Sequence, residues 1–498
     1  MGDRIRLRYT GILGFASRLF SMLTGVAFVV MVTRNVPVAE FGIWQYISLI
    51  TGYLLFPNFI VGGWSGWTVR FIARGMLVGK TSVLVSFLLS IIASIAFVGI
   101  SIWSVDFFNT SIIYFALAML SIPPIYLAST LEAILQGYEP HVVYYGTIIF
   151  EVVKLSAGII AVFYFRQGLV GVLTAMLIAY IAQDVFLFLR ATNMMGDRVE
   201  WKVAAEWLKT GWLPAFRQAP ATILGLDMFL VTLFLASSEP IAFWRAAQII
   251  YGTITMASAL ASAIYPKLLK DGSGFHVEAT LKLVLLFAMP MTIGALVLSE
   301  PLLGVLGQEY IASSGILRVG ALVAFVNLLS SVFHGVATGA EKVDMDGRLK
   351  AKELLKSTLF KIPLVMMLVA FMYLLSVCFI ATIFQGEQNA RLSVPLYANF
   401  AALVAYIVVL VYTYWSALRK IKFSFPASAT IKYLTGCAFM IVFLLVFYPS
   451  GSVRTIATAL AGGGVYFVVL LLIDKEVRQL FMSGLNFLKG KVARILRH

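Results

Sequence analysis

The stretch Thr10-Gly-Ile-Leu-Gly-Phe-Ala-Ser-Arg18 opens the first apolar segment of the chain, and Thr210-Gly-Trp-Leu-Pro-Ala-Phe-Arg217 opens another 200 residues later. Each stretch places an arginine inside the apolar segment that it begins. Both segments also end at a similar turn, which begins at Pro37 in the first and at Pro240 in the second. The repeat predicts two membrane halves of matching design with one central pathway, an arrangement typical of transporters.

The composition indicates a membrane protein. Of the 498 residues, 61% are hydrophobic and only 12% are charged, which leaves too little polar surface for a soluble domain. Apolar stretches of about 20 residues recur along the chain, and each can cross a hydrocarbon core of ~30 Å. We therefore expect an all-α polytopic membrane protein of about fourteen transmembrane helices. The predicted spans are 10–32, 41–62, 81–103, 111–135, 143–165, 168–190, 212–235, 242–264, 278–300, 313–337, 361–384, 395–418, 431–449 and 454–473.

The spans divide into two lobes and a C-terminal extension. Residues 1–195 carry the first six spans and residues 196–420 the next six. Because each half has an even number of helices, the two six-helix lobes are expected to form a parallel repeat about a pseudo-twofold axis along the membrane normal. Residues 421–498 contain two extra helices and a basic tail, in which the pattern over 475–498 predicts an interfacial amphipathic helix.

The distribution of basic residues predicts the orientation. With the N-terminus inside, the outer loops hold only Arg34, Arg166, Arg391 and Arg454. The inner segments collect Arg70, Arg74, Lys80, Arg190, Arg198, Lys202, Lys209, Lys267, Lys270, Lys342, Arg348, Lys350, Lys352, Lys356, Arg419, Lys420 and Lys422. This asymmetry predicts a multi-pass protein of the cell membrane with both termini cytoplasmic. The net charge of +15 then reflects topology and contact with anionic membrane lipids, and it argues against a nucleic-acid partner.

Cations inside the predicted spans are candidates for substrate binding, because an ionisable group in a membrane is costly unless it is paired or hydrated. Arginine in particular grips phosphate oxygens through a planar fork of donors. The candidates are Arg18, Arg217, Lys154, Arg245 and Arg318. If these side chains face one cavity, they would form a ladder for a diphosphate that moves between leaflets. Arg245 and Arg318 lie near helix ends, so for these two the alternative is that the side chain snorkels to the membrane interface.

Acidic residues inside the spans are candidates for coupling to H⁺ or Na⁺. They are Asp227, Glu151 and Asp184. Two alternatives stay open: Glu151 can pair structurally with Lys154 three residues later, and Asp227 can pair with a group on another helix. Glu132 and His334 lie near the inner ends of their spans and are interpreted as hydrated structural residues.

Motifs for catalysis are absent from the sequence. It contains no G-x-x-x-x-G-K-[ST] loop, no H-E-x-x-H and no serine-hydrolase elbow. Cys378 and Cys437 lie within spans and are interpreted as packing residues. We therefore expect a protein that is not an enzyme and that uses neither a metal nor a cofactor.

Several short motifs, in order along nearly the whole chain, carry a resemblance to a known family. The chain resembles the polysaccharide-type flippases of the multidrug/oligosaccharidyl-lipid/polysaccharide (MOP) superfamily, which is MATE-like. The motifs are Arg34-Asn-Val-Pro-Val-Ala-Glu-Phe-Gly42, Arg70-Phe-Ile-Ala73, Leu135-Gln-Gly137, Asp227 with Ile241-Ala-Phe-Trp-Arg-Ala-Ala247, Tyr265-Pro266, and Glu300-Pro-Leu-Leu303 with Gly307-Gln-Glu-Tyr310.

The resemblance implies a two-lobed flippase with a cationic cavity that works by rocking alternating access. The implied cargo is a polyprenyl-diphosphate-linked oligosaccharide, moved to the outer face for surface polysaccharide or glycoprotein assembly, with enzymes of glycan assembly as partners. An ion gradient or the membrane potential would supply the energy. The alternatives are a MATE-like ion-coupled drug or metabolite antiporter, a membrane enzyme such as a glycan ligase, and a scaffold that transports nothing.

Overall fold

The computed structural model describes residues 7–54, 61–210, 212–258, 274–339, 357–479 and 481–482, and every regular element in them is helical. The α-helices are α1 (Leu7–Asn35), α2 (Val38–Leu49), α3 (Val61–Ala73), α4 (Gly79–Phe108), α5 (Ile112–Tyr138), α6 (Pro140–Gly158), α7 (Gly168–Ala191), α8 (Trp201–Thr210), α9 (Trp212–Leu224), α10 (Asp227–Leu235), α11 (Glu239–Thr255), α12 (Gly274–Val297), α13 (Ser299–Leu306), α14 (Ser314–Gly339), α15 (Thr358–Ile383), α16 (Ala390–Lys420), α17 (Ala427–Val446) and α18 (Ser452–Ile473). Two π-helical turns, Ile50–Leu54 and Ile159–Tyr164, extend α2 and α6.

The predicted all-α polytopic membrane class is confirmed. Within the described residues, 11 helices are long and apolar enough to cross a membrane, and they match eleven of the predicted spans. The other three predicted spans, 41–62, 212–235 and 242–264, coincide with shorter helices: α2 with its π-turn, α9 with α10, and α11. The predicted amphipathic helix over 475–498 lies mostly outside the described residues, as do the polar segment 340–356 and the motif Tyr265-Pro266.

The seventh predicted span is broken into two helices. Its prolines, Pro214 and Pro220, predict a bend, and Pro220 indeed lies inside α9. The break itself comes later, because α9 ends at Leu224 and α10 begins at Asp227. Gly225 occupies the gap, and glycine costs a helix about 1 kcal/mol relative to alanine. As a result, Asp227 lies at the N-terminus of a helix and accepts a hydrogen bond from the Met228 backbone N–H at 2.7 Å.

The chain divides into two compact units. The first comprises Met1–Arg245 with Met366–Pro395, and the second comprises Ala246–Val365 with Leu396–His498. These boundaries differ from those of the predicted lobes, 1–195 and 196–420, which stay a prediction.

In the first unit, small residues let the helices pack closely. The Ser86 hydroxyl of α4 donates to the Tyr126 carbonyl oxygen of α5 at 3.1 Å. A methyl group added at Gly146 of α6 would lie 2.7 Å from Leu187 of α7, which shows how little space separates these two helices. Small and hydroxylated residues at helix contacts are typical of membrane bundles, where close packing replaces the hydrophobic effect.

In the second unit, the two C-terminal helices pack on α12. Tyr433 and Met440 of α17 and Tyr466 of α18 belong to one buried cluster with Leu285 of α12. The Tyr466 hydroxyl, fully buried, donates to the Leu286 carbonyl oxygen at 2.9 Å. This bond satisfies the polar end of an otherwise apolar contact and fixes α18 against α12.

Candidate functional site

Arg18 lies on α1 with an exposed side chain. On the same helix, Ser17, Ser21 and Thr24 point to α6, where Ser17 donates to the Tyr144 carbonyl oxygen at 3.3 Å. Arg18 is about 100° further around the helix from Ser17, on a different face. Within the described part of the chain it forms no hydrogen bond or ion pair. This cation is therefore available to an anionic ligand.

The equivalent arginine of the second repeat, Arg217, lies on α9. Its side chain falls outside the described residues. The predicted equivalence of Arg18 and Arg217 therefore stays a prediction.

Lys154 and Glu151 form a buried ion pair on α6. The Lys154 Nζ lies 2.7 Å from Glu151 Oε2, and both side chains are about nine-tenths buried. Glu151 also accepts hydrogen bonds from the α1 hydroxyls of Ser21 at 2.8 Å and Thr24 at 2.6 Å. Lys154 lies over the Phe28 and Phe150 rings, 5.5 and 5.1 Å from their centroids. The pair thus joins α6 to α1, and each charge is compensated.

Asp227 and Arg245 lie in the first unit and interact electrostatically. The Tyr373 hydroxyl of α15 donates to Asp227 Oδ2 at 2.8 Å, in addition to the bond from the Met228 N–H. Arg245 is partly buried on α11. The alternative that Asp227 pairs with groups on other helices is the one that matches these contacts.

Arg318 lies in the second unit, on α14. Its guanidinium lies 3.0 Å from the Glu300 carboxylate and its Nε donates to the Ser299 hydroxyl at 2.8 Å. Both charged side chains are about half exposed, so the pair contributes little to stability.

A cavity of about 430 Å³ lies inside the first unit, between α2, α5 and α7. Glu132 of α5 lines it and accepts a hydrogen bond from the Gln183 amide of α7 at 2.8 Å. Asp184, the next residue of α7, is buried, and its Oδ1 has no hydrogen-bond partner among the described residues. The lining residues are Ser48, Thr51, Gly52, Ile125, Ala128, Ser129, Glu132, Met176, Tyr180 and Gln183.

The sequence predicts a structural role for Glu132. In the structure, Glu132 contacts Gln183, which precedes the candidate Asp184 on α7. The two carboxylates interact electrostatically. A signal for this was present in the sequence, because Glu132 and Gln183-Asp184 lie near the same predicted ends of two apolar spans. That signal could not show that the two helices are in contact.

No group of three or more histidine, cysteine, aspartate or glutamate side chains that could hold a metal occurs among the described residues. Cys378 is partly buried and Cys437 is buried, and both are free thiols.

The fold and the charged groups inside it define an all-α polytopic membrane protein, and several solved structures share this fold. The lipid II flippase MurJ, in an inward closed conformation, is similar at a TM-score of 0.64 and 16% identity over 94% of this chain and 99% of its own. An inward-facing multidrug resistance MATE family transporter of the MOP superfamily is similar at a TM-score of 0.60 and 13% identity, covering 81% of this chain and 96% of its own. A MOP superfamily transporter from Pyrococcus furiosus is similar at 0.50 and 15%, over 83% and 94%.

The chain therefore shares the fold of MOP superfamily transporters. All three of these neighbours are named as transporters or as a flippase, and none as an enzyme. No protein-family model and no curated protein sequence matches the chain.

Proposed function

We propose that this chain is a flippase that moves a polyprenyl-diphosphate-linked oligosaccharide from the cytoplasmic to the outer leaflet of the cell membrane. The observation that carries the proposal is Arg18, an exposed arginine on a membrane helix without a partner among the described residues. Such a cation is costly unless an anionic group or water compensates it, and a diphosphate matches its fork of donors. Similarity in fold to a lipid II flippase over 94% of the chain supports a lipid-linked cargo.

In this proposal Arg18 and Arg217 make the first contacts with the diphosphate, and Lys154, Arg245 and Arg318 complete the ladder. Two of these cations form ion pairs, Lys154 with Glu151 and Arg318 with Glu300, and Arg245 interacts electrostatically with Asp227. They would contact phosphate only in a conformation in which those interactions open. Alternating access provides such conformations, and Asp227, Glu151 and Asp184 would couple them to H⁺ or Na⁺.

The partners in this proposal are membrane lipids and enzymes of glycan assembly. Both termini are cytoplasmic, the basic inner loops contact anionic membrane lipids, and enzymes of glycan assembly supply the cargo inside and use it outside for a surface polysaccharide or a glycoprotein. The protein itself carries out no covalent chemistry and needs no cofactor.

The test is transbilayer movement of a fluorescent polyprenyl-diphosphate oligosaccharide in proteoliposomes. We expect Arg18→Ala to slow transport about 10- to 100-fold, because a hydrogen bond to a charged group contributes about 1.5–3 kcal/mol. Arg18→Lys should be intermediate, since lysine keeps the charge without the bidentate fork. The matched control is Arg454→Ala, which removes an exposed arginine at the start of α18. Full transport by Arg18→Ala, in protein that folds normally, would overturn the proposal.

A second candidate function is a MATE-like, ion-coupled antiporter of drugs or metabolites. The observation in its favour is the cavity of the first unit, which is lined by Glu132 rather than by a cation. An acidic cavity attracts cationic solutes, and a MATE transporter shares the fold at a TM-score of 0.60. Uptake of organic cations against an ion gradient, with no movement of the lipid-linked oligosaccharide, would favour this function over the flippase.

A further inference from the structure

The chain changes direction where α18 ends, and a new helix begins there. Asp474 follows α18 with an extended backbone (φ −120°, ψ 112°). Its Oδ1 accepts hydrogen bonds from the backbone N–H groups of Glu476 at 2.8 Å and Val477 at 3.4 Å. These are the bonds of a helix N-cap, and the described residues 475–479 and 481–482 are helical.

The first turn of this helix is attached to the transmembrane helices of the second unit. Lys432 of α17 lies 3.4 Å from Asp474, and Lys282 of α12 lies 3.0 Å from Glu476. Val477 is buried and belongs to the apolar cluster of α12, α17 and α18. The new helix therefore starts with one face fixed against the bundle.

The same face continues beyond the bundle without a protein cover in the described residues. Phe481 lies one turn after Val477, and its side chain is 53% exposed. The residues after 482 lie outside the described part of the chain, but their sequence repeats the spacing. At 100° per residue, the apolar positions that fall within an arc of about 60° with Val477 and Phe481 are Leu488, Val492 and Ile495.

The charge of the segment 475–498 is strongly positive. Glu476 is its one acidic residue, and Lys282 already pairs with it. The helical spacing places most of the basic residues away from the apolar face. They are Lys475, Arg478, Lys489, Lys491, Arg494 and Arg497.

We propose that residues 475–498 lie as one helix along the membrane surface and bind the headgroups of anionic phospholipids. The partner is a lipid surface because α18 is long and apolar enough to cross a membrane and ends at Ile473, so the segment begins where the bilayer ends. An apolar face flanked by cations matches an anionic leaflet, which is the inner one in the predicted topology. This binding goes beyond the proposed function and requires no transport.

The experiment uses the purified full-length chain with Cys378 and Cys437 replaced by alanine, in nanodiscs of phosphatidylcholine alone or mixed with phosphatidylglycerol. A spin label is attached in Phe481→Cys, on the apolar face, or in Gln479→Cys. Gln479 is the matched control because it is also exposed and lies about 160° from Phe481 around the helix. Collision with oxygen, which dissolves in lipid, and with a water-soluble nickel complex shows which label enters the membrane.

In the anionic nanodiscs we expect oxygen to reach the Phe481→Cys label and nickel to reach the Gln479→Cys label. In phosphatidylcholine alone, the Phe481→Cys label should become accessible to nickel. The variant Lys489→Gln/Lys491→Gln/Arg494→Gln/Arg497→Gln should show that accessibility even in the anionic nanodiscs, since each cation strengthens binding about fivefold. A control that neutralises four exposed cations elsewhere, Arg198→Gln/Lys202→Gln/Lys209→Gln/Lys422→Gln, should leave the label protected.

Equal access of nickel to both labels in the anionic nanodiscs would overturn the inference. Protection of the Phe481→Cys label that is the same in both lipids and survives the four substitutions would also overturn it, because the contact would then be apolar only. If the neutralised variant fails to fold, a rise in salt concentration tests the unsubstituted segment, since salt screens the attraction of headgroups. Protection that high salt leaves unchanged would again contradict binding to anionic headgroups.

Discussion

Lys154 and Glu151 show at the scale of single residues how a charge inside a membrane protein is made tolerable. Both are buried, and their 2.7 Å contact is supplemented by two hydroxyls from α1. Taking one partner away would leave the other charge buried and uncompensated, whereas taking both away removes the need for compensation. The structural alternative for Glu151, a mutually neutralised pair, matches its contact with Lys154.

We expect Glu151→Gln to destabilise the folded protein by about 3–5 kcal/mol, because Lys154 then stays buried without its counter-ion. The double variant Glu151→Gln/Lys154→Met should recover much of that loss, since no charge remains to be buried. Thermal unfolding in detergent measures both. Equal melting temperatures for the single variant and the wild type would mean that the pair does not stabilise the fold.

Asp227 and Arg18 represent the two other outcomes for an intramembrane charge. Asp227 has a tyrosine hydroxyl, a backbone N–H and a nearby arginine, so its environment is polar although it is partly buried. Arg18 has none of these within the described residues, and its side chain is exposed. For this reason we propose that Arg18 contacts the diphosphate of the cargo.

At the scale of helices, close packing depends on glycines that the sequence shows only as members of motifs. Gly137 ends the Leu135-Gln-Gly motif of α5, where the helix touches α3. A methyl group at Gly137 would lie 2.8 Å from the Val69 carbonyl oxygen and 3.0 Å from the Ile72 Cβ. Backbone atoms cannot move aside as a flexible side chain can, so the two helices would have to separate.

We therefore expect Gly137→Ala to cost about 1–3 kcal/mol of stability, the usual penalty of overpacking. Gly99→Ala is the matched control, because Gly99 lies inside α4 with nothing within 4 Å of the added methyl group. There the gain in helix propensity should make the change neutral or stabilising by up to about 1 kcal/mol. The melting temperatures of the two variants measure this difference, and we expect that of Gly137→Ala to be lower. A Gly137→Ala chain as stable as Gly99→Ala would contradict the close contact of α3 and α5.

At the scale of the whole molecule, the prediction concerns topology. With fourteen crossings and the N-terminus inside, the loop between α17 and α18 lies outside and the loop between α16 and α17 lies inside. In a chain with Cys378 and Cys437 replaced by alanine, we expect Ser450→Cys to react with a membrane-impermeant maleimide in intact cells. Lys422→Cys should react only after lysis. Both positions are exposed, so access to the reagent depends on the side of the membrane. The reverse pattern would invert the orientation and the direction of the proposed transport.

The sequence by itself determined the class of fold and the position of nearly every span. Hydrophobic stretches long enough for a bilayer identify membrane helices, because each backbone polar group must be satisfied within its own helix. That constraint is local, so it can be read along the chain. For the same reason the sequence marked Arg18, Glu151 and Asp184 as unusual: a charge within an apolar span is conspicuous without any knowledge of its neighbours.

Only the tertiary structure decided which charges are compensated and which helices are interrupted. The bonds from α1 to Glu151, the Tyr373 hydroxyl on Asp227 and the Gln183 amide on Glu132 all join residues far apart in sequence. Spacing within one helix predicted the Glu151–Lys154 pair, since three residues bring side chains to one face. Contacts between helices depend on packing angle and rotation, and these follow from the fit of many side chains at once rather than from any local pattern.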